Sequence, residues 1–254
     1  MRNFKIVLQY EGTRYQGWQK QVSTDNTIQG KLEALLGKMC DAKVEIQGAG
    51  RTDSGVHAYG QVANFHADTE MTEDEILEYI NRYLPEDIAV LSCKEVQERF
   101  HARLNAKGKV YRYRIWNSAD KPVFERRFVH QVPEELDMEA MKRAAGFLTG
   151  THDFQSFTSA KKGKKSTVRT VERIDMERVG RELQFTFRGD GFLYHMVRIM
   201  MGTLIEIGLG IRKAEEIPDV LAAKDRSRSG HLIPGKGLAL MEVTYDNEQK
   251  VHFI

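Results

Sequence analysis

TEDEILEYINRYLPEDIAVL, Thr72 to Leu91, contains a helix, a strand and the signal that separates them. Thr72 and Glu75 have capping-box spacing, in which two side chains satisfy backbone N–H groups left open at a helix start. Ile76, Leu77, Ile80 and Leu84 follow at helical spacing, Pro85 stops the helix, and Ile88, Val90 and Leu91 open a strand. Toward the N-terminus, a strand is predicted over about Gly60 to Ala67 and a shorter one around Val44 and Ile46. Ile28, Leu32, Leu35, Leu36 and Met39 mark a helix beginning near Thr27, and Phe4, Ile6, Leu8 and Tyr10 alternate as a first strand. The order is β-α-β-β-α-β, the ferredoxin-like plan.

The rest of the chain repeats that plan in different residues. A strand is expected over Lys109 to Trp116 and a helix over about Leu136 to Leu148. Val168 to Arg178 and Glu182 to Arg188 should pair as a hairpin across Val179-Gly180-Arg181. A nearly all-apolar helix from His195 to Ile207, a further helix near Lys213 to Lys224 and a strand from Leu238 to Tyr245 complete the set. The expected fold is α+β: two ferredoxin-like lobes, residues 1–105 and 106–254. They would join through a largely antiparallel central sheet and leave an active-site cleft between them.

Composition narrows the class. The chain has 254 residues, 41% of them hydrophobic and 29% charged, enough for a sizeable core without disulfide or metal staples. No low-complexity tract suggests disorder. Met196 to Ile211, the longest apolar stretch, is too short for a membrane span and is broken by Arg198 and Glu206. MRNFKIVLQYEG leads straight into a strand pattern, so no signal peptide is expected. Cys40 and Cys93 lie far apart, as buried thiols of a reducing cytosol would. A soluble cytoplasmic protein is the expectation.

Net charge is +2, but it is unevenly spread: residues 1–105 carry −4 and residues 106–254 carry +6. Lys107 to Arg127 interleaves seven basic residues with Tyr111, Tyr113, Trp116 and Phe124. Lys161 to Arg173 holds Lys161, Lys162, Lys164, Lys165, Arg169 and Arg173 against one acid, Glu172. A single charge run usually marks a solvated face. Two runs, one threaded with aromatics at strand spacing, point toward a polyanion such as RNA.

Chemistry concentrates in GAGRTDSGVHAYGQVANF, Gly48 to Phe65. The loop lacks a P-loop lysine, does not open a helix as a dinucleotide fingerprint does, and gives Ser54 no GxSxG elbow. His57, His66 and His101 lack metal-ligand spacing, so no metal is expected. What remains is Arg51, Asp53 and a backbone made adaptable by glycine.

The sequence resembles the tRNA pseudouridine synthase A family nearly end to end. YEGTRYQGWQKQ (Tyr10 to Gln21) is similar to the family's opening motif, with Glu11 where aspartate is commoner. GAGRTDSGVHA (Gly48 to Ala58) is similar to its catalytic loop. FHARLNAKGKVYRYRI (Phe100 to Ile115) and GDGFLYHMVRIMMGTL (Gly189 to Leu204) are similar to its two later motifs. Leu104-Asn105 departs from the aromatic-Asp pair expected within the first of these two. The resemblance implies isomerisation of uridine to pseudouridine at adjacent positions in the tRNA anticodon stem-loop, without external cofactor or metal, by a homodimer.

Asp53 corresponds to the family's catalytic aspartate. An ionised carboxylate has three routes here: addition to C1′, addition to C6, or removal of the 2′-hydrogen. Tyr111 corresponds to the substrate-contacting tyrosine, whose ring stacks on a flipped uracil. By pattern alone it equally fits a half-buried strand aromatic, with Tyr111, Tyr113 and Ile115 on one face and Arg112 and Arg114 on the other. Arg198, on an apolar helix, requires an anionic partner. Glu206 and Asp190 are the nearby acids, and the resemblance assigns Asp53. Arg51 would contact a phosphate or fill the space left by a flipped base, while Lys161, Lys162, Lys164 and Lys165 would follow the RNA backbone. The rival reading is a non-catalytic RNA-binding protein with RRM-like lobes, although the aromatic motifs of such modules are missing. A metal-dependent hydrolase would need a carboxylate and histidine cluster that the spacing does not offer.

Overall fold

Alternation along β1 (Arg2–Tyr10) buries Phe4, Ile6, Leu8 and Tyr10 on one face, as the sequence predicts. The computed structural model describes residues 1–161, 163 and 165–246; Lys162 and Lys164 lie outside the described residues. The fold is α+β, as expected, and the chain divides into two units: Met1–Lys107 together with the segment from Ala239, and Gly108–Leu238.

The first unit runs β1, α1 (Ile28–Cys40), β2 (Ile46–Gly48), β3 (His57–Ala67), α2 (Glu73–Tyr83) and β4 (Ile88–Val96), the expected β-α-β-β-α-β order. β1 lies between β4 and β3, and β2 pairs with the other edge of β3, all antiparallel. Thr27 caps α1 by accepting from the Gly30 N–H. Thr72 and Glu75 form the predicted capping box on α2. The Asn81 amide then ties α2 to β4, donating to the Val90 carbonyl and accepting from its N–H, both at 2.8 Å. Ile28, Leu32 and Leu36 of α1 and Ile76 and Ile80 of α2 join the β1 face in the core.

The second unit runs β5 (Gly108–Trp116), β6 (His130–Gln131), α3 (Met138–Leu148), β7 (Gly150–Asp153), β8 (Val168–Val179), β9 (Glu182–Gly189), α4 (Met196–Gly208) and α5 (Ile217–Ala223). The predicted hairpin is β8–β9, and β9 pairs antiparallel with β5 as well. β6 and β7 have two and four residues, too few for alternation to show. The helix expected from Lys213 to Lys224 is a 3-10 turn, Ala214–Glu216, followed by the short α5; Pro218 fits only in the first turn of a helix.

The last strand, β10 (Leu238–Thr244), departs from the expected division at residue 105. It pairs in parallel with β3 through Ala239↔His57 and Leu240↔Ala58, and from Ala239 it groups with the first unit. Tyr245 supplies the physical reason. Its hydroxyl donates to the Ala102 carbonyl at 2.6 Å, its ring packs 5.4 Å from Phe100, and the Lys5 ammonium lies 4.8 Å over it.

α4 is buried along nearly its whole length, and at Gly202 the crossing segment approaches so closely that a Cβ would sit 1.9 Å from the His231 carbonyl oxygen. Glu206 near its end is 8% exposed and is held by Arg212 Nε and His231 Nδ1, both at 2.6 Å. Burial opposes its ionisation, yet His231 and Arg212 hold the carboxyl below its ordinary value. This contribution to stability is therefore whole above the ordinary carboxylate range and fades as pH falls through the lowered folded value. Glu206→Gln should destabilise the protein by about 2 kcal/mol at neutral pH. In urea titrations from pH 7 to pH 3 the gap from wild type should narrow toward the acid end; a constant gap would refute the ionic role.

Candidate active site

Residues 49–56 connect β2 to β3, and buried polar groups hold the loop at several points. The Ala49 N–H donates to the Val62 carbonyl at 2.7 Å. The fully buried Gln61 amide donates to the Gly50 carbonyl at 3.0 Å. The Tyr10 hydroxyl and Thr52 Oγ1 are 2.8 Å apart, both buried. Burial raises the Tyr10 phenol well above its ordinary pKa, so it stays a neutral hydrogen-bonding group.

The segment from Tyr10 to Gln21 lies against this loop and fixes it from the other side. The Trp18 N–H donates to the Thr52 carbonyl at 3.0 Å. The Tyr15 carbonyl accepts from Ser54 Oγ at 3.2 Å and from the Gly55 N–H at 3.4 Å. Gly17 makes the approach possible: its φ is +91°, and a Cβ there would lie 2.7 Å from the Thr52 oxygen. Tyr15 is itself held by Asp87, whose Oδ1 accepts from the Tyr15 hydroxyl at 2.6 Å while Oδ2 accepts from Arg14. Burial works against the Asp87 carboxylate, but Tyr15 and Arg14 keep its pKa below the ordinary value. Asp53 thus sits half-exposed between the anchored residues Thr52 and Ser54, and Arg51 is exposed beside it. An ionisable carboxylate on an immobilised backbone is suited to attack or to proton transfer.

In the second unit Tyr111 lies on β5 opposite Phe187 of β9 and is 8% exposed. Its ring meets Phe192 edge to face at 5.3 Å. Tyr113 and Ile115 are buried on the same face and Arg112 and Arg114 are half-buried on the other, as alternation predicts. Arg198 is half-buried on α4 and its Nε donates to the Ile233 carbonyl at 2.8 Å. The acids that the sequence offers it nearby are engaged elsewhere. Glu206 holds Arg212 and His231, and Asp190 Oδ1 accepts from the Thr170 N–H at 3.0 Å.

The two basic runs differ in kind. Arg114 forms a bidentate pair with buried Glu182 at 2.8 and 2.5 Å, Arg112 donates to Thr186 Oγ1, and Lys107 pairs with Asp246 at 3.0 Å. Lys161 and Lys165 are exposed. The residue pattern alone gives Tyr10 to Gln21 no task; the pair Gly12 and Gly17 around Tyr15 was the available signal of a close backbone approach. Among the described residues no group of three His, Cys, Asp or Glu side chains is placed to hold a metal.

A family model described as tRNA pseudouridine synthase matches residues 6–105 and 144–246. The chain is 44% identical over 245 residues to tRNA pseudouridine synthase A 2 of Bacillus cereus (strain ZK / E33L), covering 96% of this chain and 100% of the relative. It has the same identity and coverage with tRNA pseudouridine synthase A of Acetivibrio thermocellus. With tRNA pseudouridine synthase A of Bacillus sp. (strain KSM-64) the identity is 46% over 230 residues, 91% of this chain and 94% of the relative.

Gly17→Ala should strain the left-handed backbone and push the opening segment off the loop, destabilising the protein by about 1–3 kcal/mol. Hydrogen exchange should then rise first at the Trp18 and Gly55 amides. Unchanged protection at both amides would show that this contact does not hold the loop.

Proposed function

The chain belongs to the tRNA pseudouridine synthase family, and from that premise we propose how its residues divide the work of isomerising uridine to pseudouridine in tRNA. The reaction breaks the N1–C1′ bond, turns the uracil and joins C5 to C1′; C5 gives up its proton, N1 gains one, and no atom is added. Asp53 is the catalytic carboxylate. The observation that carries this assignment is its half-exposed position on a loop held on both sides of it. Addition to C1′, addition to C6 and removal of the 2′-hydrogen all use that same group.

Tyr111 stacks on the uracil and its hydroxyl serves a proton near C5. Arg198 belongs to the substrate-binding set by the family resemblance, and its guanidinium is held in place by the Ile233 carbonyl at 2.8 Å. Arg51 contacts a phosphate or fills the space of the flipped base. The substrate region is the anticodon stem-loop, and a cytoplasmic homodimer in which one tRNA touches both subunits completes the proposal. The division into two ferredoxin-like lobes is part of it, supported by the β-α-β-β-α-β order of the first unit. A purely RNA-binding role has no use for an anchored carboxylate among phosphates.

The direct test uses tRNA carrying tritium at uridine C5, in excess chelator, with release of the label as readout. Wild type should release it, and Asp53→Asn should lower the single-turnover rate by about 10⁴-fold or more while tRNA binding survives. A rate within tenfold of wild type would remove Asp53 from the chemistry.

RNA backbone contacts have a separate signature. Replacing Lys161, Lys162, Lys164 and Lys165 by Ala should weaken binding and flatten its salt dependence by up to roughly one unit of slope per lost phosphate contact. Turnover at saturating tRNA should persist. An unchanged slope in filter-retention measurements would mark the segment as a solvated loop.

A further inference from the structure

We propose that the outward face of Tyr194, fixed by its stack on His195, is a platform for a nucleobase flanking the reacting uridine. The inference rests on the reading of this chain as a tRNA-modifying enzyme and adds a base contact to it. Tyr194 is 55% exposed. An exposed tyrosine alone is ordinary; this one is immobilised. Its ring stacks on His195 with centroids 3.6 Å apart and planes 29° apart. Its carbonyl accepts from Thr158 Oγ1 at 2.9 Å and from the Ser159 N–H at 3.3 Å.

The His195 backbone adds an independent observation. It adopts φ 65° and ψ 1°, a left-handed conformation unusual for a residue with a side chain, at the start of α4. Its carbonyl accepts from the Ile199 N–H at 3.0 Å, while its side chain makes no capping hydrogen bond. In that conformation the imidazole lies against the Tyr194 ring. A side-chain-bearing residue held in that conformation by its surroundings is a starting point for a functional reading.

Position then identifies the ligand. Phe192, two residues earlier, touches the Tyr111 ring, and Arg198 lies about one helical turn beyond His195 on α4. Thr158 and Ser159, which pin the Tyr194 carbonyl, lead directly into the exposed Lys161. A held aromatic face, two residues along the chain from the ring that packs on Tyr111 and pinned by the residues that lead to Lys161, suits an unpaired base, because every base has a π face and a held ring loses little freedom on binding.

The experiment measures binding of an unmodified tRNA transcript to wild type, Tyr194→Ala, Tyr194→Leu and Tyr194→Phe at several salt concentrations. Single abasic nucleotides are then placed in turn on each side of the target uridine. Ala and Leu should each weaken binding about tenfold with an unchanged salt slope, and Phe should restore it. One abasic position should weaken wild type to the same degree and have no further effect on Tyr194→Ala. Binding by Tyr194→Ala within twofold of wild type, additive losses at every abasic position, or a changed oligomeric state by light scattering would each overturn the platform. Failure of the underlying reading is distinct: wild type itself would then release no tritium from labelled tRNA.

Discussion

The hydrogen bond from the Trp18 N–H to the Thr52 carbonyl, 3.0 Å long, is the constraint on which the candidate site depends. It joins a segment that leaves β1 to a loop that enters β3, and Asp53 is the next residue. A loop with glycines on both sides of its candidate residue is by nature mobile. Here Trp18 and Tyr15 hold the loop from one side and Tyr10 and Gln61 from the other, and at Gly48, where the loop begins, the missing side chain admits the Trp18 ring to 2.5 Å from where a Cβ would stand. The same contact explains the long segment between β1 and α1. That stretch is a brace whose Gly17 exists to let two backbones meet.

The brace is polar where a simple core would be apolar. Tyr10, Thr52 and Gln61 are buried together, and each would be costly there without its partners. Satisfied as they are, they specify one loop position, which greasy packing would not, since apolar contacts tolerate sliding. Asp87 repeats the device at the edge of the unit: its carboxylate remains ionised against burial because Tyr15 and Arg14 bind it, and Tyr15 is thereby held where its carbonyl meets the loop.

Much of this was legible in the residues. The capping box at Thr72, the stop before Pro85 and the alternation of β1 and β5 are local signals, and the structure contains each of them. On the glycine loop the absence of phosphate, serine and metal patterns leaves Arg51 and Asp53, and it is the family resemblance that singles out Asp53. The grouping of β10 with the first unit was not legible, since it rests on Tyr245 meeting Phe100 and Ala102, which lie more than a hundred residues away in sequence. Strands of two and four residues, β6 and β7, carry no period to read. The His195 conformation was equally hidden, because nothing in GFLYHMVR marks a left-handed residue.

Charge shows why counting was a weaker guide than geometry. Both runs are rich in cations, but Arg114 lies against Glu182 with side-chain exposures of 25% and 11%, and its role is to neutralise a buried acid between β5 and β9. A cation so committed has little left for a phosphate, because moving it would strand the carboxylate at a penalty of about 3–5 kcal/mol. Arg112 is likewise turned to Thr186 on the neighbouring strand. Exposed lysines such as Lys161 and Lys165 keep their hydration and can exchange it for phosphate contacts while releasing counterions from the RNA. Within Lys107 to Arg127 the alternating pair Arg112 and Arg114 lies on one face of β5, where a cation finds a partner on the next strand. Lys161 and Lys165, exposed ahead of β8, are the better candidates for a surface that meets RNA.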